Sequence, residues 1–300
     1  MSVLVTTTDG YHIFTSKGQH LTALAGHRVE ALAPGPDGTW LAVVDRRAIW
    51  QHGADGEWTP LAKAEIDLTA VVTAGTTIFA GTGEARLMRL SDAGALEPVP
   101  SFDTVPGRES WQPVGVPLQV RSMAATSDAS ALLVNVHVGG IPRSVDGGRT
   151  WQPTIAVDDD VHQVLAHPSR PEIVVAAASV GLCRSTDAGA TWSTTADMEL
   201  AYARGVAIHG DDVLVTVSDG PRATRSAVYR APVDGGPAER VRNGLPEWLG
   251  GNIDTRCIAS DGRRAALVDG NGDAWSTSDG LDGWHQSASG LVGVTAVAVA

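Results

Sequence analysis

Three arginines, a glutamate, a tyrosine, an aspartate and a histidine are the residues of this chain whose types could build a ligand site. They are Arg121, Arg204, Arg256, Glu30, Tyr202, Asp254 and His162. A guanidinium meets a carboxylate or phosphate through parallel hydrogen bonds, so arginines brought together would recognise such a group. A carboxylate or phenol beside them would have its proton affinity moved by their charge, as acid–base or nucleophilic chemistry requires. The chain as a whole has the opposite sign: 22 Lys and Arg against 34 Asp and Glu give a formal net charge of −12. Its overall field therefore disfavours nucleic acid and anionic membrane.

The elements that must position these residues are repeated. The string SVDGGRTW at 144–151 returns as STDAGATW at 185–192. Upstream of the second copy, VHQVLAHPSRPEIVVAAASVGLCR reads as an apolar strand, a Pro-bounded turn, a second strand, a Gly turn and a third strand. The string itself then turns into a fourth. The same order recurs over 27–61, 67–99, 118–153, 202–241 and 253–286, giving six units of roughly 40–50 residues, the period of four-stranded propeller blades. The chain opens with three strand-like runs lacking a first strand and finishes with VGVTAVAVA, a first strand lacking its successors. The expected fold is a single all-β domain over 1–300. It is a seven-bladed β-propeller of four-stranded antiparallel blades, closed by the C-terminal strand completing the N-terminal blade, which also removes open sheet edges.

In such a fold the first strand of each blade lines a central channel, and alternation turns every second residue into it. Aligning the first strands on their apolar residues gives one equivalent position per blade: Glu30, Thr69, Arg121, Gln163, Arg204 and Arg256. Tyr202 and Asp254 each precede an arginine by two residues and should share its face; His162 precedes Gln163 by one. Two expectations follow for this set. It is either the polar lining of a water-filled channel or a pocket that binds a carboxylate or phosphate.

The repeated string resembles the Asp-box, or BNR repeat, of sialidase-like propellers, photosystem II assembly factors and many bacterial propeller proteins of unassigned function. Two copies match throughout, Ser144, Asp146, Gly148, Thr150 and Trp151, then Ser185, Asp187, Gly189, Thr191 and Trp192. Two others are decayed: 232–239 keeps Asp234 and Gly236, and 277–284 keeps Asp279 and Trp284. A short Asp side chain accepts backbone N–H groups within a turn, Gly permits positive φ, and Trp supplies a large apolar area. These residues are therefore expected to be scaffold, as the resemblance also implies. A sialidase-like enzyme would use an arginine triad, a Tyr/Glu pair and an Asp. The Arg-Ile-Pro signature of that class is missing, and Ile141, Pro142 and Arg143 stand in another order.

Other signals are weaker. Cys183 and Cys257 sit in separate apolar stretches without CxxC spacing, so neither a disulfide framework nor a zinc site is expected. The first ten residues lack the basic start and apolar core of a signal peptide, so a cytoplasmic location is expected, and the chain is expected to be a monomer. Asp158, Asp159 and Asp160 could meet calcium, but acidic loops are ordinarily solvated; no metal and no cofactor are expected. The segments 218–229 and 243–257 exceed minimal connections, which is where binding loops concentrate. The function expected is that of a non-catalytic Asp-box propeller binding an unknown protein partner or a small anionic ligand on its channel face. The alternative is an enzyme, a glycoside hydrolase of sialidase-like type or a lyase, using the channel Arg, Glu and Tyr residues.

Overall fold

The structure is a computed structural model describing residues 2–15, 19–53, 56–115, 117–195, 197–278 and 280–299. Among the described residues seven antiparallel sheets follow one another, each with four strands side by side, in chain order in all but the first. They are the blades of a β-propeller. In the sixth, a short extra strand, Leu249–Gly250, also pairs with Arg225–Pro232.

The first blade joins both ends of the chain. Val294–Val299 pairs with Ser2–Thr7, setting Val3 opposite Val299 and Val5 opposite Val297; Gly10–Thr15 and His20–Ala23 complete the sheet. Valine fits a strand buried on both faces, and five of the six residues in Ser2–Thr7 are buried. The C-terminal strand thus completes the N-terminal blade.

The blades fall into two compact units. One comprises Met1–His27, Val175–Arg184 and Ser193–Ala300; its core includes Val3, Val5, Ala266, Val268 and Val297, and a second cluster around Leu214, Ile253, Leu267 and Trp284. The other comprises Arg28–Val174 and Ser185–Trp192, with cores around Leu41, Val43 and Ile49 and around Phe102, Val120, Val134 and Trp151.

A shared irregularity governs where the first strands aim their polar side chains. In Val29–Pro34, Val29 pairs with Val44 and Ala31 with Val43, so Glu30 is an extra, bulged residue. Thr69 in Leu68–Ala74, Arg121 in Val120–Ala125 and Arg204 in Tyr202–His209 are skipped in the same way. A bulge interrupts the ladder locally and re-aims the side chain it carries. The fifth and seventh blades depart from the sequence alignment. His162, not Gln163, is second in Val161–Ala166, as Glu30, Thr69 and Arg121 are in their strands. Arg256 lies two residues before Ile258–Ser260, outside any strand, with φ of 65°.

Candidate functional site

One group of charged and titratable side chains assembles around Asp160, all within the unit that contains the second to fourth blades. Arg121 is brought there by its bulge. His137 follows the strand Leu132–Val136 in a tight turn, and His162 projects from Val161–Ala166. Asp160 follows the 3-10 turn Val157–Asp159.

Two of these positions are held in backbone conformations that L-residues avoid. Val138, next to His137, has φ of 47°, and Asp160 has φ of 44°. Asp tolerates the left-handed region, but a β-branched valine there is a true outlier, and such strain concentrates at functional sites. The turn is tight as well as strained: a Cβ on Gly139 would stand 2.5 Å from a Val136 methyl, and one on Gly140 2.7 Å from the Ile155 carbonyl oxygen.

The hydrogen bonds fix the protonation of His137. Its Nε2 lies 2.9 Å from the Val114 carbonyl oxygen, which can only accept, so Nε2 carries the proton. Nδ1 then presents a lone pair, and Arg121 donates to it from Nη1 at 3.2 Å. Asp160 Oδ1 stands 3.8 Å from the same Nδ1, while its Oδ2 lies 3.3 Å from His162 Nε2. Burial alone would raise the Asp160 carboxyl; the hydrogen bond and charge of His162, with the charge of Arg121 behind, overcome that and hold it below the ordinary carboxylate value. Oδ1 is itself buried and accepts no hydrogen bond among the described residues.

Access differs sharply across the group. His162 and His137 are buried, whereas the Asp160 side chain is 26% exposed and Arg121 is partly exposed. Of the four side chains, Arg121 and Asp160 are the ones solvent reaches.

Arg204, Tyr202 and Asp254 form a separate group in the other unit. Arg204 donates from Nη1 to Asp254 Oδ1 at 3.0 Å and from Nη2 to the Pro221 carbonyl at 3.3 Å, and its guanidinium stands 5.5 Å from the Tyr202 ring centre. Burial lowers the Arg204 pKa, but Asp254 and Tyr202 more than compensate, so it is raised. Asp254 thus meets Arg204 across the two segments. Asn252 Nδ2 donates to the Gly220 and Pro221 carbonyls, tying the two long segments of the sixth blade together. Glu30 is engaged locally, by Arg28 Nε at 2.6 Å. Arg256 offers its backbone carbonyl to Val297 N.

The two SxDxGxTW turns are near-copies in space as well as in sequence. Ser144 Oγ donates to Asp146 Oδ1 at 2.8 Å and accepts Gly148 N at 2.8 Å; Asp146 Oδ1 accepts Arg149 N and Thr150 N, and Oδ2 accepts the Thr150 hydroxyl at 2.6 Å. Ser185, Asp187, Gly189, Ala190 and Thr191 repeat each of these bonds. Gly148 and Gly189 have φ of 85° and 80°. The tryptophans differ: Trp151 is buried edge-on to Phe102, whereas Trp192 is half-buried and donates from Nε1 to Thr154 Oγ1 at 3.1 Å. Asp279, of the decayed copy, lies outside the described residues. Both cysteines are buried and unlinked, and burial pushes the Cys257 thiol up to about 12.

Sequence reasoning reached Arg121 and His162 but not His137, and it read Asp160 only as part of an acidic run. The signal that was there is the Gly-Gly pair at 139 and 140, marking a tight turn after the second strand.

No protein-family profile matches the chain, and no curated protein matches it. Solved structures do. An ancestral GH74 enzyme aligns at 15% identity and TM-score 0.65, over 95% of this chain and 40% of its own. A GH74 xyloglucanase from Xanthomonas campestris aligns at 17% identity and TM-score 0.57, over 87% of this chain and 46% of its own. The chain thus spans less than half the length of either enzyme. A proposed 6-phosphogluconolactonase from Bacteroides fragilis aligns at 12% identity and TM-score 0.65, over 99% and 96% of the two chains. At such identities the likeness is one of fold: this chain is a seven-bladed β-propeller with enzymes among its structural neighbours.

Proposed function

We propose that this is a binding propeller of the Asp-box type whose Arg121–His137–Asp160–His162 group takes a small sugar acid. The observation that carries the reading is the partly exposed pair Arg121 and Asp160, held by two buried histidines between two strained turns. Arg121 supplies donors for the ligand carboxylate, and the ionised Asp160 accepts a hydroxyl beside it. The bonding of the two SxDxGxTW turns supports the Asp-box assignment and the scaffold role that goes with it. The lactonase and glycoside hydrolase names among the structural neighbours accord with a polyhydroxylated ligand.

The test is thermal melting with gluconate, glucuronate, glucose and inorganic phosphate. At a hundred times its dissociation constant a ligand stabilises by ~2.7 kcal/mol, a readily measured shift. The sugar acids should raise the melting temperature of the native protein and of Arg204→Ala, but not of Arg121→Gln. A response to glucose alone, or one that survives in Arg121→Gln, refutes the assignment.

A second reading, hydrolysis at the same group, is favoured by the buried Asp160 Oδ1 standing beside His137, a place where a proton can be taken up. Turnover of sugar lactones or aryl glycosides, lost in Asp160→Asn, would establish it in place of simple binding.

A further inference from the structure

A cavity of about 100 Å³ lies between the third and fourth blades, beside the first SxDxGxTW turn, and shares no residue with the Asp160 group. Two cross-strand pairs line it. In the third blade, Phe79 of Thr77–Thr82 stands opposite Arg89 of Leu87–Leu90; in the fourth, Leu132 of Leu132–Val136 stands opposite Ser144 of Pro142–Ser144. Residues directly opposite in an antiparallel ladder share a face, so each pair sets an apolar side chain beside a polar one. Phe79 and Leu132 are buried in one apolar cluster and form the floor. Arg89, about half exposed, marks the mouth.

Small residues keep the space open. Ala74, at the end of Leu68–Ala74, and Ala129 both line it. Ala129 has φ of 57°, where glycine is the unstrained residue. Asp128 holds that turn by accepting the Ser130 N–H at 3.0 Å and the Thr126 hydroxyl at 2.8 Å. A left-handed alanine in the wall is strain of the kind that collects around binding sites.

The polar groups of the lining are unequally committed. Ser144 Oγ is engaged within its own turn by Asp146 and Gly148 N, and both Asp146 oxygens are occupied there as well. Arg89 is paired with Glu97 at 4.0 Å, with both side chains about half exposed, a contact that contributes little and yields readily to another anion. Thr77 adds a hydroxyl to the lining.

We propose that this cavity binds a short aliphatic monocarboxylate, its tail between Phe79 and Leu132 and its carboxylate on Arg89 and the Thr77 hydroxyl. Size sets the tail: a protein cavity of about 150 Å³ takes benzene, so this one takes about three or four carbons. The floor offers hydroxyl groups no partner, which excludes the polyhydroxylated acid assigned to the Asp160 group. The two sites are independent.

The experiment titrates isobutyrate and its uncharged analogue isobutanol into the full chain, followed by saturation-transfer nuclear magnetic resonance. The native protein should bind the acid about tenfold or more tighter than the alcohol, because only the acid gains a charge-assisted bond. Arg89→Gln, at an exposed position that leaves the fold intact, should weaken isobutyrate by the same factor and leave isobutanol unchanged. Ala74→Leu, which extends an isobutyl group into the same space, should abolish both. No saturation transfer to isobutyrate from native protein, or isobutanol bound as tightly as the acid, overturns the proposal. So does native affinity for isobutyrate in either variant, which would place the acid at another site, the Asp160 group included.

Discussion

Removing residues 292–300 deletes the strand Val294–Val299 and leaves Ser2–Thr7 with a bare edge. The size of the effect follows from burial. Val297 and Val299 are only 6% and 9% exposed, and Ala296 and Ala298 are buried with them. Fully burying a valine side chain contributes about 1.5–3 kcal/mol, so the two valines account for about 3–6 kcal/mol. That is comparable with the whole margin of ~5–15 kcal/mol by which folded domains persist. Val3, Leu4 and Val5, now buried, would also lose cover on one side. Urea unfolding followed by tryptophan fluorescence and far-ultraviolet circular dichroism should show the midpoint of the truncated chain lowered by about 1 M or more, or no folded baseline at all. Val297→Asp, which keeps the chain length but buries a carboxylate, should behave similarly. A truncated chain with the native midpoint and slope would refute the reasoning, because the terminal strand would then contribute nothing to the blade it completes.

Trp151→Ala should cost about 3–5 kcal/mol in chemical denaturation, and Trp192→Ala clearly less, because only the first ring is fully buried; equal costs would contradict that difference. Burial pushes the Asp187 carboxyl up, but hydrogen bonds from Thr191, Ser185 and Ala190 outweigh that push and hold it at about 2 against an ordinary 3.8. A depressed folded-state pKa gives stability that is present above the unfolded value and lost as pH falls through the folded one. The melting difference between native protein and Asp187→Asn should therefore be constant near neutrality and shrink from about pH 4 toward pH 2; a difference that persists unchanged there would contradict the bonding described. Gly244 has φ of 86°, and a Cβ there would stand 2.0 Å from the Trp284 carbonyl oxygen. Gly244→Ala should lower stability by more than ~1 kcal/mol in a urea melt, whereas an entropic gain without strain would raise it.

The repeat was legible because each blade repeats the same physical sequence of apolar strand and Gly-marked turn, and because the termini supply complementary fragments of one sheet. The turn residues were legible for a similar reason: Ser144, Asp146 and Gly148 satisfy one another within a few positions, so spacing alone encodes their bonding. The first-strand alignment found a shared feature in Glu30, Thr69, Arg121 and Arg204, although nothing in the letters says that each is a bulged residue. It slipped at His162 and Gln163, where both residues are polar and apolar residues flank the pair. The Asp160 group was not legible as a group. Its members come from three stretches far apart in the chain, and the left-handed backbone at Val138 and Asp160 has no compositional mark, since neither residue is glycine. Sequence also had no means of separating Arg121 from Arg204, which occupy like positions in their strands but meet different partners, His137 in one case and Asp254 with Pro221 in the other.

The central claim is that Arg121 and Asp160 together hold a sugar acid, and isothermal titration of gluconate into the native protein tests it most directly. A charge-assisted hydrogen bond is worth about 1.5–3 kcal/mol, so losing one should weaken binding about 10- to 150-fold. The account predicts one ligand per chain, with Arg121→Gln and Asp160→Asn each weakened by that factor and Arg204→Ala unchanged. No binding to the native protein, or binding as tight as native by the Arg121→Gln or Asp160→Asn variant, would contradict it.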